Sequence, residues 1–217
     1  MDAANRERAA AGSGPLRWDA ALAVAARRHA EFVVQNTLLS HQYPGEAALS
    51  ERASQAGAKF SIVAENIAMG PNPETIHNGW MHSPGHRKNI LNPELTAVGI
   101  VVMKGNGGLF AVQDFSRAVQ TLSLGQQEEQ VVSLVKAAGV AEASATENAR
   151  KTCAMEQGFV GRRVSYVFRF ETADLSQLPD GVMQKIKGSK YRAASVGACH
   201  SDARNGFTQY KIAILLN

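Results

Sequence analysis

Residues 80–87 read Trp-Met-His-Ser-Pro-Gly-His-Arg, and together with residues 64–68, Ala-Glu-Asn-Ile-Ala, they form the stretch that decides the fold. With His41 upstream, they bring the imidazoles of His41 and His86 and the carboxylate of Glu65 into fewer than fifty residues. Imidazole and carboxylate groups ligate metals and carry acid–base chemistry when a fold closes them together. The spacing therefore predicts a candidate site, and the surrounding motifs decide whether the fold closes it.

The surrounding segments form an ordered set of short motifs, namely Pro15-Leu16-Arg17-Trp18-Asp19 ahead of an alanine-rich helix, Glu51-Arg52-Ala53, Asn89-Ile90-Leu91, Val98-Gly99 and Val112-Gln113-Asp114-Phe115. In this order, over about residues 5–118, the chain resembles the CAP superfamily: cysteine-rich secretory proteins, antigen 5 and plant pathogenesis-related 1 proteins. The cysteine-poor bacterial branch, the SCP-domain proteins, is the part of the superfamily to which it is most similar. The resemblance implies an α+β fold, a CAP-type α-β-α sandwich, in a protein exported from a bacterial cell.

Length and composition limit the classes of protein to which this chain can belong. With 217 residues, of which 45% are apolar, the chain suffices for one large domain or two small ones. A net charge of +4, no Lys/Arg run longer than two residues and only 6% aromatic residues argue against a nucleic-acid partner. No apolar run approaches the ~20 residues of a membrane span, and no signal peptide is recognisable. Together with the export that the resemblance implies, these features lead us to expect a monomer without a membrane span, secreted or periplasmic, with its leader already removed.

Periodicity and capping signals predict the elements of the first half. Apolar side chains at a 3.6-residue period indicate a long helix, on whose apolar face a hydrogen-bonded core role for His29 is favoured over a ligand role. Asn72-Pro73 and Ser83-Pro84 are helix starts, and 104–108 is a hairpin turn. The predicted helices cover 16–37, 46–56 and two segments between 73 and 91, and the predicted strands 60–63, 97–103 and 109–115.

The pattern breaks over residues 118–128, which predicts a CAP domain over 1–120 and a second small α+β domain of no recognised family over 121–217. In this domain Ser144-Ala145-Thr146-Glu147 resembles a capping box opening a helix that ends at Gly158. The other predicted elements are helices over 126–138 and 181–187 and strands over 163–170, 191–199 and 207–216. Val98-Gly99 and Val196-Gly197 precede a later glycine at equal separations, for which convergent hairpin chemistry is favoured over duplication.

The resemblance also implies a cleft in which two histidines and two glutamates can hold a divalent metal. By motif, the metal ligands of this chain are His41, Glu65 and His86, with zinc the expected ion. The family's second glutamate is replaced by Ser83, which we place on the cleft rim with His82 and Glu46. Loss of that acid leaves a weaker site and one fewer general base. A structural hydrogen-bond network between Glu65 and His86 is the alternative.

Two cysteines, Cys153 and Cys199, lie in the last third of the chain. Two buried free thiols and one disulfide are both compatible with this count. The export implied by the resemblance favours the disulfide, because bridges persist in oxidising compartments.

Family likeness and chemistry favour a non-enzymatic extracellular binding module for a lipid or sterol, a cell-wall component or a protein. One alternative is a metal-dependent hydrolase with Glu65 and His86 as its candidate catalytic residues; another is a structural or adhesion protein. The glycines of 105–108 connect two strands rather than a strand to a helix, so no nucleotide cofactor is indicated.

Overall fold

Two four-stranded sheets organise the described part of the chain, one in each half. The computed structural model describes residues 1–36, 38–187, 191–201 and 206–217. They divide into a first unit, Met1–Val119 with Gly206 and Phe207, and a second unit that holds the rest of the described chain from Gln120 onward. In the part of the chain so described, no helix has the length and apolar character that crossing a membrane requires.

The first unit is an α-β-α sandwich, as the sequence predicts. Its sheet has the order β1-β3-β4-β2, in which β1 and β3 are parallel and the other neighbours antiparallel. Its elements are α1 Asp2–Ala10, β1 Arg17–Trp18, α2 Ala20–Asn36, α3 Leu49–Gln55, β2 Phe60–Gly70, α4 Pro73–His82, α5 Pro84–Leu91, β3 Ala97–Gly105 and β4 Gly108–Ala118.

Helices cover both faces of this sheet. On one face, Ala26 and Ala30 of α2 pack against Ile67, Val101 and Val112. On the other face, α1, α4 and α5 contribute to a core cluster in which the buried residues are Ala4, Leu16, Ile76, Trp80, Ile90, Leu95, Val98, Ala111 and Phe115. Alternation along each strand sends successive side chains to opposite faces. Glu65 therefore faces α2, whereas its neighbour Asn66 faces α5.

Three predicted boundaries in the first unit were wrong. The long helix begins at Ala20, because residues 17–18 pair with β3 and the Asp19 carboxylate accepts hydrogen bonds from the first helical N–H groups. The predicted helix over 46–56 begins only at Leu49. The strand predicted over 60–63 continues to Gly70, because antiparallel pairing with β4 carries the Glu65-Asn66 motif inside the sheet.

The second unit has a sheet of order β5-β7-β8-β6. Its elements are α6 Leu124–Ala137, β5 Glu142–Ala145, α7 Glu147–Ala154, β6 Tyr166–Thr172, α8 Asp180–Lys187, β7 Ala193–Cys199 and β8 Tyr210–Leu216. The last two strands form the predicted antiparallel pair. The buried carboxylate of Glu128 in α6 accepts two bonds from Arg150 in α7, at 2.8 and 2.7 Å, and one from the N–H of Ala198 in β7.

The predicted capping box in this unit was wrong. Ser144 and Ala145 belong to β5, where they pair with Ser195 and Val196, and the helix cap is Thr146. The helix also ends at Ala154, ahead of Gly158. Strand pairing with β7 therefore overrides the local capping pattern.

Cys153 and Cys199 form a disulfide with their Cα atoms 5.8 Å apart, which confirms the predicted bridge. It joins α7 to the end of β7. Because α7 has only eight residues, it buries little apolar surface, and the covalent link supplies a restraint that packing alone does not.

Candidate functional site

Glu65 is the centre of a polar cluster in the first unit. It lies within β2, directly opposite Asp114 of β4, and is only 6% exposed. Its Oε1 is 2.7 Å from Nδ1 of His41, and its Oε2 accepts a hydrogen bond from Nη2 of Arg52. Nε2 of His29 lies 3.7 Å from the same Oε2. Both carboxylate oxygens of the motif glutamate are therefore already engaged.

Arg52 is the buried cation of this cluster. It extends from α3 and is 3% exposed. Besides binding Glu65, its Nη1 donates to the backbone oxygens of His41, at 3.2 Å, and Ala47, at 3.4 Å. The arginine thus holds both the glutamate and the backbone of the histidine that the glutamate binds. Its position in the Glu51-Arg52-Ala53 motif is the only sequence signal for this role, and that motif alone does not assign it.

Glu46 is not on the cleft rim where the sequence places it. It is 9% exposed, and its Oε1 lies 2.6 Å from Nδ1 of His29 while its Oε2 accepts from the N–H of Tyr43. His29 is fully buried on α2, so it has the hydrogen-bonded core role that the sequence favours. Glu46 Oε1 also lies 3.7 Å from Nη1 of Arg52. Two glutamates therefore share one arginine.

Asp114 lies beneath the cluster with no exposed surface. Neither carboxyl oxygen has a hydrogen-bond donor within range among the described residues. Burial, and then the negative charge of Glu65, raises the pKa of Asp114 well above its ordinary value. Both effects disfavour the charged form of the Asp114 carboxyl group.

His41 and His86 are the two histidines of the predicted metal set, and the charge of His41 acts on the imidazole of His86. The side chain of His41 is 67% exposed, and its hydrogen bond to Glu65 raises the pKa of its imidazole. His86 lies in the first turn of α5, where burial and then the positive charge of His41 lower the pKa of its imidazole. The pKa values of the two imidazoles are therefore shifted in opposite directions.

Asparagines fix α5 against the sheet. Nδ2 of Asn89 donates to the backbone oxygen of Glu65, at 3.1 Å, and to Oδ1 of Asn66, at 2.9 Å. Nδ2 of Asn66 in turn donates to the backbone oxygen of His86 at 3.2 Å. The Glu-Asn motif on β2 and the Gly-His motif on α5 are therefore tied together through backbone groups.

The remaining predicted rim residues lie where α4 meets α5. Nδ1 of His82 is 2.7 Å from the backbone oxygen of Asn78, so this nitrogen is committed to its own helix. Ser83 is the N-cap residue of α5, and its side chain makes no capping hydrogen bond. Neither residue takes the place of the missing second glutamate.

The predicted ligands do not form a three-residue metal set as they stand. The described residues contain no group of three or more His, Cys, Asp or Glu side chains arranged to hold a metal ion. Since Oε1 of Glu65 binds Nδ1 of His41, the remaining donors are Nε2 of His41 and the imidazole of His86. A carboxylate on the far nitrogen of a ligating histidine is the usual outer support of a metal site. A metal bound here would therefore have imidazole nitrogens as its ligands, with Glu65 as the outer support of His41.

A cavity of about 190 Å³ lies on the opposite face of the sheet. It is bounded by α1, α4, β3 and β4, and its lining includes Ala3, Ile76, His77, Trp80 and Ala111. Trp80 is 4% exposed, and its Nε1 has no acceptor within range among the described residues. Nε2 of His77 is likewise buried, with its nearest charged neighbour, Oε1 of Glu7, at 4.0 Å. Nothing in the sequence marks this cavity, because Trp80 and Ile76 share the spacing of ordinary core residues.

Comparisons with known proteins agree with this architecture. The model of the CAP family, described as the cysteine-rich secretory protein family, matches residues 1–115. Uncharacterized protein YkwD of Bacillus subtilis is 35% identical over 101 residues, which are 46% of this chain and 39% of that protein. The chain therefore spans well under half the length of this curated relative.

Two solved structures extend the comparison. An extracellular protein containing a SCP domain from Bacillus anthracis is 32% identical, with a TM-score of 0.50, over 54% of this chain and 38% of that chain. Na-ASP-1, at 10% identity and a TM-score of 0.50, covers 99% of this chain and 87% of its own. The first likeness is confined to about half of the chain, whereas the second, a likeness of fold alone, extends over both units.

Proposed function

Because the chain belongs to the CAP family of cysteine-rich secretory proteins, we propose that it is the binding module of an exported bacterial protein and that its first unit binds an alkyl or acyl chain in the cavity beneath α1 and α4. The observation that carries this proposal is the buried indole donor, Nε1 of Trp80, which lines an apolar cavity and has no acceptor within range among the described residues. Buried polar groups of native proteins are normally paired. An apolar ligand with one oxygen acceptor would satisfy such a donor.

The volume of the cavity limits the ligand. A cavity of roughly 150 Å³ accommodates benzene, so about 190 Å³ accepts a short alkyl segment or a single ring. Small-molecule pockets that enclose a drug-sized ligand measure about 300–1,000 Å³. A whole sterol is therefore too large, which favours the end of a lipid chain over the sterol alternative. Burial lowers the pKa of His77, so a neutral oxygen acceptor suits this site better than a carboxylate beside Glu7.

Tryptophan fluorescence tests the proposal with octan-1-ol as the probe. Trp18 is 52% exposed and Trp80 is buried, so the Trp18→Phe variant leaves Trp80 as the only reporter. We expect a saturable change in emission that Ala3→Leu abolishes, because Ala3 lines the cavity on α1. Ala10→Leu is the matched control, since Ala10 is an exposed residue of the same helix. Equal titrations in the two variants would show that octan-1-ol does not bind in the cavity.

A second candidate function is weak binding of a divalent metal such as zinc by His41 and His86. The observation in its favour is the Glu65–His41 hydrogen bond, which leaves Nε2 of His41 available in an exposed side chain. A bound metal would supply Lewis acidity at that position. The hydrolase alternative is less favoured, because both oxygens of Glu65 already have partners and the carboxylate is not placed to take a proton from a bound water.

A further inference from the structure

We infer that the second unit is a reduced copy of the CAP fold that has lost the cleft, so that the ligand chemistry of the chain is confined to the first unit. The two sheets have the same strand order and the same strand directions: β1-β3-β4-β2 corresponds to β5-β7-β8-β6. In each, a short first strand runs parallel to its neighbour, and the other two pairings are antiparallel. The helices between corresponding strands also occur in the same order.

The residues at the start of α2 correspond one by one to those at the start of α7. The N–H of Asp19 donates to the backbone oxygen of Val98 at 3.0 Å, and the N–H of Thr146 donates to that of Val196 at 3.0 Å. Each of these two cap residues then accepts, through its side chain, a hydrogen bond from the N–H three residues later. Seven residues before each cap, an Ala-Ala-Gly sequence ends in a glycine of positive φ, Gly12 at 75° and Gly139 at 115°.

The closest approach of helix to sheet is the same in both units. A Cβ atom on Gly99 would lie 2.1 Å from the backbone nitrogen of Ala23, and one on Gly197 would lie 2.2 Å from that of Arg150. Ala23 and Arg150 are each four residues beyond the cap of their helix. Real Cβ atoms do not approach backbone so closely, so glycine is required at both positions. Independent hairpin chemistry does not explain this match at the crossing of helix and strand.

The residues of the cleft are those that the second unit lacks. His41 lies in the long segment between α2 and β2, and His86 lies on α5. Among the described residues of the second unit, the corresponding connection between α7 and β6 is shorter, and α8 is the one helix between β6 and β7. In the sheet of the first unit, Gly99 of β3 pairs with Asp114 of β4, and Asp114 pairs with Glu65 of β2. In the sheet of the second unit, Gly197 of β7 pairs with Ala213 of β8, and Ala213 pairs with Arg169 of β6.

Arg169 fills the corresponding space of the second unit. Its Nε donates to the backbone oxygen of Thr152 at 2.9 Å, and its Nη2 donates to that of Gly158. Cys153 and Cys199 stand at the positions that Ala26 and Val101 occupy in the first unit, where both belong to one core cluster. An apolar helix–strand contact in one unit is thus a covalent contact in the other.

A matched pair of double variants tests the correspondence in the full chain. In the variant with Cys153→Ala and Cys199→Val, the disulfide is replaced by the residues of the first unit in their corresponding places. The variant with Cys153→Val and Cys199→Ala has the same composition in the opposite arrangement. Because the helix backbone lies against Gly197, we expect the first variant to have the higher unfolding midpoint of the second unit, followed by hydrogen exchange. Equal midpoints, or a higher midpoint for the second variant, would overturn the correspondence.

A binding measurement tests whether ligands bind only to the first unit. This experiment, unlike the stability comparison, rests on the proposed function. We expect Arg169→Ala to leave the octan-1-ol and zinc titrations of the full chain unchanged within twofold. A loss of tenfold or more in either affinity, with the first unit folded, would place a ligand contact in the second unit and contradict confinement. Failure of octan-1-ol and zinc to bind the unmodified chain would overturn the proposed function, whereas the stability comparison would still decide the correspondence.

Discussion

Arg52 donates a hydrogen bond to Glu65 inside the first unit, and both side chains are almost completely buried. The pair connects α3 to β2, and its two residues are 13 apart in sequence. Removing charges from water is costly, and a buried pair is stable only while both partners remain. The integrity of the polar cluster therefore depends on this pair as much as on the histidines.

Glu65→Gln should destabilise the first unit by about 3 kcal/mol, because it leaves the Arg52 cation without its principal partner. Urea unfolding in the presence of a chelator measures the loss without a contribution from metal. Glu94→Gln is the matched control, since Glu94 forms an exposed ion pair with Arg117 and such pairs contribute roughly 0–1 kcal/mol. An unchanged midpoint for Glu65→Gln would show that the carboxylate has no structural role.

The double variant Arg52→Met with Glu65→Gln should be less destabilised than the sum of the two single variants. Each single change leaves one buried polar partner uncompensated, whereas the double change removes both charges. A double-mutant cycle of urea midpoints should give a coupling energy of about 1–3 kcal/mol. Strict additivity would mean that the two side chains do not interact in solution.

The two imidazoles should titrate in opposite directions from the ordinary histidine value of 6.5. His41, whose pKa is raised by its bond to Glu65, stabilises the fold at pH below 6.5, and that stabilisation is lost as pH rises through its folded pKa. His86, whose pKa is lowered by burial, makes the fold less stable as pH falls below 6.5 toward its folded pKa. NMR of the ring protons measures both. Glu65→Gln should lower the pKa of His41, and an unchanged titration would contradict the cause assigned here.

Zinc should bind through the two imidazoles with release of protons and should dissociate below about pH 6, because only neutral imidazole ligates. Calorimetry should show that the His41→Ala with His86→Ala double variant loses this binding. His82→Ala is the control, since Nδ1 of His82 is held by the Asn78 backbone oxygen. Equal zinc uptake by the double variant would refute the two-imidazole site.

Reduction of the Cys153–Cys199 bridge should destabilise the second unit while leaving the first nearly unchanged. The bridge spans 46 residues, for which the chain-entropy model gives about 4 kcal/mol. Hydrogen exchange with and without reductant resolves the two units. Loss of protection in β2 and β4 equal to that in β7 and β8 would show that the bridge stabilises more than its own unit.

Local sequence signals predict the ends of helices well where contacts between residues close in sequence determine the backbone geometry. Asn72 caps α4 as expected, because the bond from the N–H of Thr75 to its side chain is local. Thr146 replaces the predicted Ser144 cap because pairing with β7, some fifty residues away, decides where the helix begins. Local patterns do not contain that information.

The site shows the same limit. The motifs select Glu65, His41 and His86 as candidates, yet they give Arg52 no role and place Glu46 on the rim. In the structure Glu46 lies ahead of α3, which begins at Leu49, and its Oε1 lies 2.6 Å from Nδ1 of the buried His29. Which partner a buried charge finds depends on the packing of elements distant in sequence.

Nuclear Overhauser contacts from octan-1-ol decide whether the cavity of the first unit binds an alkyl chain. With ¹³C-labelled octan-1-ol, we expect contacts from the alkyl chain to the Trp80 indole and the Ile76 methyl groups, and we expect their loss in Ala3→Leu. Contacts to His41 and His86 instead, or saturating binding with no contact to Trp80, would contradict this expectation.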